Sequence, residues 1–273
     1  MQHALEQGRA WLTSHRNPDG SLGYTPGQSG RGEPTLLAAA AGIEAPVAWL
    51  GEGKLGWAGR LAPTALRLQP ATQKLRTREI ARLLAQRSET GAGTGDFDTS
   101  LAAWGWVPGT AGWTEPTAHA LLALRADGRQ EDLRGREAVE FLLDRQGADG
   151  GWNYGNPRML GKDLDSAPVA TGWALLALLG LPEADQPCSH GITWLEDSVG
   201  ALPTVHSLAL LTLALAAADL ESATTAITLA GRQQADGAWR GRADLTALAC
   251  LAMAASLGEP CPLLLATHPG GRP

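Results

Sequence analysis

An Asp-Gly turn that recurs at a fixed spacing constrains the fold of this chain more than any other feature. It occurs at Asp19-Gly20, Asp149-Gly150 and Asp236-Gly237, which lie 130 and 87 residues apart. These distances are three and two steps of about 43 residues, a period typical of helical repeat proteins. The period predicts six copies of one unit, forming a single domain over residues 1–273. A bulky apolar residue stands three positions after each aspartate, namely Leu22, Trp152 and Trp239.

Each unit is predicted to contain an amphipathic helix, the turn, and a helix that is almost free of charge. The uncharged stretch Ala167–Pro182 shows this most clearly, because a helix without charges is buried around most of its circumference. Pro168 suits the first turn of that helix, and Ser166 is its predicted N-cap. The alternation of the two helix types predicts two concentric layers of helices. We therefore expect an all-α protein, an (α/α)6 toroid. The N-termini of its inner helices should lie together at one rim of a central cavity. Prolines open other apolar runs in the same way, at Pro34, Pro63, Pro116 and Pro203.

Composition narrows the class of partner and the setting of the protein. Hydrophobic residues make up 44% and charged residues 18%, and the net charge of −6 argues against nucleic acid. Three unclustered cysteines indicate a reduced, cytoplasmic setting, and the polar N-terminus shows no signal peptide. The uncharged stretch Ala201–Ala218 is interpreted as buried in protein, because it contains His206 and matches the other inner helices, so no transmembrane segment is expected. Residues 260–273 are predicted to be a frayed tail.

Two of the turns carry a longer motif that resembles a known family. Gln146–Trp152 reads QGADGGW and Gln233–Trp239 reads QQADGAW, similar to the Gln–Trp repeats of triterpene cyclases. The chain thus resembles the superfamily of squalene-hopene cyclases, class II diterpene cyclases and protein prenyltransferase β-subunits. It is also similar to bacterial proteins known only as prenyltransferase/squalene-oxidase repeat proteins. The resemblance implies one toroid that binds an isoprenoid or similar apolar small molecule, without a cofactor.

The same resemblance implies candidate catalytic residues. Triterpene cyclases protonate an alkene or epoxide with an Asp-x-Asp-Asp motif, which requires an oriented, protonated carboxylic acid in a dry cavity. The nearest match is Asp163–Ser166, where Asp165 aligns with the proton donor and Asp163 with its partner, while Ser166 replaces the last aspartate. Asp96–Thr99 is a second incomplete match. Alternatively, Asp163 and Asp165 only cap the turn and favour the helix dipole, by about 0.3–1 kcal/mol.

The residues that related toroids need for other kinds of chemistry are missing from this sequence. Protein prenyltransferases hold zinc through an Asp-x-Cys pair and a distant histidine, and this chain has no Asp-x-Cys sequence. Asp185, Cys188 and His190 are possible ligands, but they fall in a predicted connection between helices, so no metal site is expected. Complement thioester domains share the toroid but need a Gly-Cys-Gly-Glu-Gln motif, which is absent.

Titratable residues at the starts of inner helices are further candidates for substrate binding. Glu33 and Glu115 precede Pro-Thr pairs and are expected at the cavity rim, where negative charge also suits a helix start without any function. His119 and His206 lie three residues after a repeat proline, a position shared with Thr171. If this position faces the cavity, the imidazoles act as bases or hydrogen-bond donors; otherwise a neighbouring helix satisfies them.

Tryptophan dominates the aromatic residues, with ten Trp against two Phe and two Tyr. Trp152 and Trp239 are predicted to pack the turns. Four further tryptophans are candidates for substrate binding: Trp104, Trp106, Trp113 and Trp173. The resemblance implies that their π faces stabilise carbocations. Alternatively, they stack on sugar rings or cover the rim of the cavity.

Three functional hypotheses follow. The first is a terpene-cyclase-like toroid that binds an isoprenoid and, if catalytic, uses Asp165 assisted by Asp163 for acid-initiated cyclisation or isomerisation. The second is a non-catalytic toroid that serves as a binding or interaction subunit, with a protein partner, as the incomplete acid motif suggests. The third is a carbohydrate-active (α/α)6 enzyme with Glu115 and an aspartate as the carboxylate pair.

Overall fold

The computed structural model describes residues 1–91, 97–201 and 203–265. Across these ranges the chain is mostly helical, which confirms the all-α class. Asp96 and residues 266–273 of the predicted tail lie outside the described residues. Single turns of 3-10 helix occupy Gly56–Arg60, Pro70–Thr72 and Pro182–Ala184, and a short antiparallel hairpin pairs β1 (Arg158–Met159) with β2 (Lys162–Asp163). The α-helices of the described residues are α1 (Gln2–Ser14), α2 (Gly32–Ala40), α3 (Val47–Gly51), α4 (Ala62–Ala65), α5 (Gln73–Ala85), α6 (Thr114–Ala126), α7 (Leu133–Asp144), α8 (Pro168–Leu178), α9 (Asp185–Ala201), α10 (Val205–Ala217), α11 (Ala223–Ala230) and α12 (Ala243–Ser256).

The helices alternate in burial as the charge pattern predicts. The even-numbered helices α2, α4, α6, α8, α10 and α12 are buried along most of their length. The amphipathic α1 instead buries one stripe, from Leu5 and Gly8 to Trp11 and Leu12, at the i, i+3, i+4 spacing of one helix face. The second copy, which has the faintest pattern in the sequence, forms only the short helices α3 and α4.

One compact unit comprises residues 1–79 and 204–264, termed unit 1. Its centre is α12, which packs against α1, α2, α10 and α11. Gly8 lets α1 approach α12 closely, because a Cβ at this position would lie 2.6 Å from Cys250 Sγ. The start of the predicted frayed tail is anchored here: the Arg67 guanidinium donates to the carbonyls of Cys261, Pro262 and Leu264 at 3.1, 2.8 and 2.8 Å.

The other compact unit comprises residues 80–203 together with Leu265, termed unit 2. Within it α6 packs against α7 and α8, and α8 packs against α9. Gly191 gives α9 the same close approach that Gly8 gives α1. A Cβ at Gly191 would lie 2.6 Å from the Trp152 ring and 3.0 Å from Leu175, so only glycine fits there.

Two local predictions need correction. Helix α9 begins at Asp185, so Asp185, Cys188 and His190 lie within a helix and not in a connection; a proline is tolerated in a first turn, whose N–H groups lack helical acceptors. Ser166 is not the N-cap of α8, which is Ala167, because the Ser166 hydroxyl donates instead to Asp149 Oδ1 at 2.7 Å.

Two searches of the described residues bear on membranes and metals. None of their helices has both the length and the apolar character needed to cross a membrane. In the same part of the chain, no group of three or more His, Cys, Asp or Glu side chains is placed to hold a metal ion.

Candidate functional site

The Gln–Trp turn of unit 2 is held by side-chain hydrogen bonds to backbone groups. Trp152 is fully buried, and its Nε1 donates to the Leu142 carbonyl at 2.6 Å. Gln146 Nε2 donates to the Gly150 carbonyl at 2.7 Å and to the Pro187 carbonyl, in α9, at 2.8 Å. The glutamine therefore ties its own turn to the next outer helix, while the tryptophan fixes the turn to the helix that precedes it.

The Gln–Trp turn of unit 1 repeats these contacts. Trp239 Nε1 donates to the Leu229 carbonyl at 2.8 Å, and Gln233 Nε2 donates to the carbonyls of Gly237 at 2.9 Å and Ala4 at 2.8 Å. Ala4 belongs to α1, so this glutamine joins the last repeat of the chain to the first.

A threonine at the start of the inner helix closes each turn. The Trp152 N–H donates to Thr171 Oγ1 at 2.8 Å, and the Thr171 hydroxyl donates back to the Trp152 carbonyl at 3.0 Å. We term the N–H to threonine bond the threonine latch. The described residues contain three more, at 3.0, 3.2 and 3.0 Å: Leu22 to Thr35, Trp104 to Thr117, and Trp239 to Thr246.

The latch corrects one predicted equivalence. Thr171 makes the same contact as Thr117, so it is not the counterpart of His119. The residue that stands two positions after Thr171, as His119 stands after Thr117, is Trp173. Counting from the proline gave the wrong equivalence, because Pro168 precedes its latch threonine by three residues whereas Pro116 precedes its own by one.

The chain between the two partners of a latch differs in length from repeat to repeat. The separations are 13 residues for Leu22–Thr35 and for Trp104–Thr117, 19 for Trp152–Thr171, and 7 for Trp239–Thr246. These latch segments are surface loops with fixed ends, which is where proteins commonly place binding groups. The longest segment contains the β1–β2 hairpin.

A cleft of about 390 Å³ lies between two neighbouring latch segments of unit 2. Trp113, the residue before α6, forms one wall, and the Thr114 N–H donates to the Tyr154 carbonyl at 2.9 Å, which holds the walls together. Large apolar side chains are exposed here: Trp113 by 39%, Tyr154 by 51%, Met159 by 51% and Leu164 by 38%. We term this site the tryptophan cleft; it is lined by Ala111, Gly112, Trp113, Asn153, Tyr154, Gly155, Asn156, Met159, Leu164 and Asp165.

The two aspartates of the incomplete acid motif have different surroundings. Asp165 is exposed and is the only carboxylate among the residues that line the tryptophan cleft. Asp163 lies in β2, opposite Arg158, and forms a surface ion pair with it, at 3.2 Å between Oδ1 and Nε. Both side chains therefore stand in contact with water, which does not provide the dry cavity that the resemblance implies for a proton donor.

The other predicted site residues of unit 2 lie mainly in its core. His119 on α6 and Trp173 on α8 are buried, with ring centroids 4.4 Å apart in an edge-to-face arrangement. Trp104 is buried as well; its Nε1 donates to the Leu83 carbonyl at 3.1 Å, and the Arg134 guanidinium lies 3.8 Å from its ring centroid. Trp106 and Glu115 are half-buried outside the tryptophan cleft lining. The structure thus brings together Trp113 and Asp165, and separately His119 and Trp173.

A second cleft, of about 530 Å³, lies in unit 1 and contains the Glu33 carboxyl group, which the sequence predicts at the cavity rim and at a helix start. Glu33 accepts a hydrogen bond from the Tyr24 hydroxyl at 2.6 Å, and both line the cleft. His206, the remaining predicted residue, belongs to the same unit, where burial lowers its imidazole pKa although Asp244 acts in the opposite direction. We term this site the Glu33 cleft. Its lining residues are Tyr24, Gln28, Ser29, Arg31, Gly32, Glu33, Lys54, Leu55, Gly56, Trp57 and Ala58.

Comparison with known proteins places these features in a family context. Residues 102–204, which include the longest latch segment and the tryptophan cleft lining, match the family model of the squalene-hopene cyclase C-terminal domain. The chain resembles the terpenoid cyclase superfamily. The match is consistent with the terpenoid cyclase superfamily that the Gln–Trp repeats indicate, and it does not identify a single member of that superfamily. No curated protein matches the chain.

Solved type II terpene cyclase structures are distant likenesses of the chain. An Asp-to-Asn variant of MstE from Scytonema in complex with geranylgeranyl dihydroxybenzoate is 16% identical, with a TM-score of 0.48 over 94% of this chain and 76% of that one. An Asp-to-Ala variant of the same enzyme in complex with merosterolic acid A is 13% identical, with a TM-score of 0.40 over 87% of this chain and 81% of that one.

Proposed function

We propose that this terpenoid-cyclase-like protein binds an isoprenoid or a similar apolar chain in the tryptophan cleft. The observation that carries the proposal is the group of exposed apolar side chains around this cleft, within the segment that matches the cyclase family model. Exposed aromatic and aliphatic groups that line a concavity gain free energy when an apolar ligand covers them, at about 25 cal/mol per Å² of buried apolar area.

The surroundings of Asp165 bear on whether the bound molecule reacts. Acid-initiated cyclisation or isomerisation requires a carboxylic acid that stays protonated, and burial is the main cause that raises a carboxyl pKa. Asp165 is exposed, and the Asp163 carboxylate already pairs with Arg158. This arrangement supports binding at the tryptophan cleft more strongly than acid catalysis by Asp165, with Asp165 as a polar contact at the cleft edge.

The carbohydrate alternative receives less support from the same site. Hydrolysis of a glycosidic bond uses two carboxylates about 5–10 Å apart, whereas the tryptophan cleft is lined by Asp165 alone among acidic residues. Glu115, the predicted partner, does not line it.

The first experiment tests binding directly. Mass spectrometry of an organic extract of the purified protein looks for a retained isoprenoid or fatty chain, and the protein is then titrated with geranylgeraniol while tryptophan fluorescence is followed. We expect Trp113→Ala to weaken binding by about tenfold, which corresponds to about 1.4 kcal/mol.

Ile227→Ala provides the matched control, because Ile227 is an exposed apolar side chain that does not line the tryptophan cleft; it should leave the affinity unchanged. Equal affinity of the wild-type protein and the Trp113→Ala variant would disprove the site. Turnover of polyprenyl substrates that disappears in Asp165→Asn would establish the catalytic version of the proposal, and unchanged turnover would remove Asp165 as the acid.

A further inference from the structure

The carboxyl group of the Glu33 cleft is partly buried and accepts a hydrogen bond from a tyrosine, whereas Asp165 of the tryptophan cleft is exposed. Glu33 lies in the first turn of α2 and accepts the Tyr24 hydroxyl hydrogen bond at 2.6 Å. The two cleft walls meet at Gly32, where a Cβ would lie 2.5 Å from the Leu55 carbonyl oxygen. The carboxyl is therefore held in a narrow place, with one of its oxygens engaged by the Tyr24 hydroxyl.

Tyr24 is itself fixed by the start of α12. Its carbonyl accepts the Ala243 N–H at 2.9 Å, and the Arg242 guanidinium carbon lies 5.2 Å from the centroid of its ring. Arg242 is engaged by Asp244 through two hydrogen bonds, at 3.0 and 2.6 Å. Because this fork-shaped pairing satisfies the guanidinium, Arg242 supports the tyrosine and is not the direct partner of Glu33.

Burial is the main influence that favours the neutral form of Glu33. Burial raises the pKa of the Glu33 carboxyl above its ordinary value of 4.5, and the Asp244 carboxylate acts in the same direction; the Tyr24 hydrogen bond and Arg242 oppose them without reversing the shift. Asp244 and Arg242 also act on His206 of α10, where burial is the largest influence and lowers the imidazole pKa.

The remaining charged side chains of the cleft are cationic. Arg31 and Lys54 line it, both exposed, and Lys54 pairs with Glu52 at 2.7 Å. In the protonated form of Glu33, the charges on the lining residues are positive only. A ligand oxygen that accepts a hydrogen bond is thus matched by the Glu33 O–H, and negative charge on that ligand is matched by Arg31 and Lys54.

We propose that the Glu33 cleft is a second ligand site, in which the carboxylic acid O–H of Glu33 binds a carbonyl or carboxylate oxygen of a small organic molecule. Tyr24 positions Glu33 for this contact. The site is built from residues of unit 1, so it does not depend on the proposal for the tryptophan cleft, and different variants test the two.

The test uses three probes of one shape: benzoate, benzamide and benzylamine, the last without an acceptor oxygen. Ligand-observed NMR titrations of the full chain are run at about pH 5 and about pH 8, because the acid form of a carboxyl group becomes rarer as the pH rises. We expect benzoate, benzamide or both to bind about tenfold more tightly at the lower pH, and benzylamine to show no such gain. Tighter binding of benzoate than of benzamide identifies a carboxylate ligand, and similar binding identifies a neutral carbonyl.

Variants separate the proposed contact from a general effect of pH. Glu33→Gln keeps an N–H donor but cannot titrate, so the oxygen probes should still bind and their pH dependence should vanish. Tyr24→Phe removes a hydrogen bond that favours the carboxylate, which should move the pH dependence to higher pH. Glu44→Gln, at an exposed glutamate of the same unit, is the matched control and should behave as the wild-type protein.

Three results would overturn the proposal. They are the absence of binding by benzoate and benzamide at concentrations up to about 10 mM, equal binding of benzylamine at the lower pH, and a pH dependence that persists in Glu33→Gln.

Discussion

The two clefts are made in the same way and differ in what they present. Each lies beside latch segments that end in the same bond to a threonine hydroxyl, at Thr35 in unit 1 and at Thr117 and Thr171 in unit 2. The tryptophan cleft presents apolar side chains with an exposed Asp165, whereas the Glu33 cleft presents a half-buried carboxyl and is also lined by Arg31 and Lys54. The comparison teaches that a motif match and a suitable environment can occur at different residues. The carboxyl group that is less exposed and has a hydroxyl partner is Glu33, which lies outside the Asp-rich motif.

The largest effect is expected where the turn itself is removed. Trp152→Ala takes away a fully buried ring and its bond to Leu142, and a loss of this kind costs about 3–5 kcal/mol. Trp113→Ala, at a partly exposed ring of the cleft, should cost less than about 1 kcal/mol. Urea unfolding curves of the two variants make the comparison, and similar losses would show that the cleft tryptophan is structural as well.

Thiol labelling shows which unit unfolds first when the Trp152 side chain is removed. Burial raises the pKa of the thiols of Cys188, in unit 2, and Cys250, in unit 1, to about 12, so both should react slowly in the native protein. In Trp152→Ala we expect Cys188 to react first as urea is added. Earlier reaction of Cys250 would place the weakness in unit 1.

The next largest effect concerns the latch. Thr171→Val removes a buried hydroxyl that serves both the N–H and the carbonyl of Trp152, and leaving such groups unpaired costs about 1–3 kcal/mol. We expect this variant also to weaken geranylgeraniol binding, because the latch holds the wall that contains Tyr154. Thr246→Val is the counterpart in unit 1, and it should lower the free energy of unfolding without changing that affinity.

A smaller effect should distinguish the Glu33 carboxyl by its pH dependence. Because its pKa is raised in the folded protein, the stability it contributes is fully present below its ordinary value of 4.5 and is lost as pH rises through the folded-state pKa. Glu33→Gln should therefore flatten this decline in urea unfolding experiments between acid and neutral pH. An unchanged slope relative to Glu44→Gln would contradict a raised pKa of the Glu33 carboxyl in the folded protein.

The smallest effects are expected at the aspartates of the incomplete motif. Asp163→Asn breaks a surface ion pair with Arg158, which is worth about 0–1 kcal/mol. Asp165→Asn should change the free energy of unfolding by less than about 0.5 kcal/mol, as at other exposed positions. A loss above about 2 kcal/mol in either variant would point to a structural role that the ion pair and the exposure do not explain.

The sequence predicts the helices well because burial and charge follow the helical period. The uncharged runs that start at Pro34, Pro116 and Pro168 became buried helices, and the faint second copy became two short ones. Prediction from the sequence fails for the N-cap role of Ser166 and for the equivalence of Thr171 with His119. Both depend on which polar group finds a partner across a turn, and such partners, Asp149 for Ser166 and Trp152 for Thr171, are fixed only by the folded chain.

The candidate site was harder to predict for the same reason. Trp113 and Asp165 were identified by residue type. Met159 reaches the cleft on a hairpin that no periodicity indicates, and Tyr154 lies in the loop before that hairpin. At Glu33, the adjoining Pro-Thr pair pointed to a helix start, and its partner Tyr24 lies nine residues away on the latch segment. A single tyrosine opposite a helix-start glutamate, within one latch segment, is a signal that can be sought in other repeats.

The threonine latch also makes the segments exchangeable. The shortest, Trp239–Thr246, shows that seven residues suffice to close the bond, and Trp152–Thr171 spans twelve more. Those additional residues can be shortened, lengthened or replaced while the ends stay where the repeat needs them. A protein built in this way can acquire a new pocket by changing one loop at a time, with the helical framework inherited unchanged.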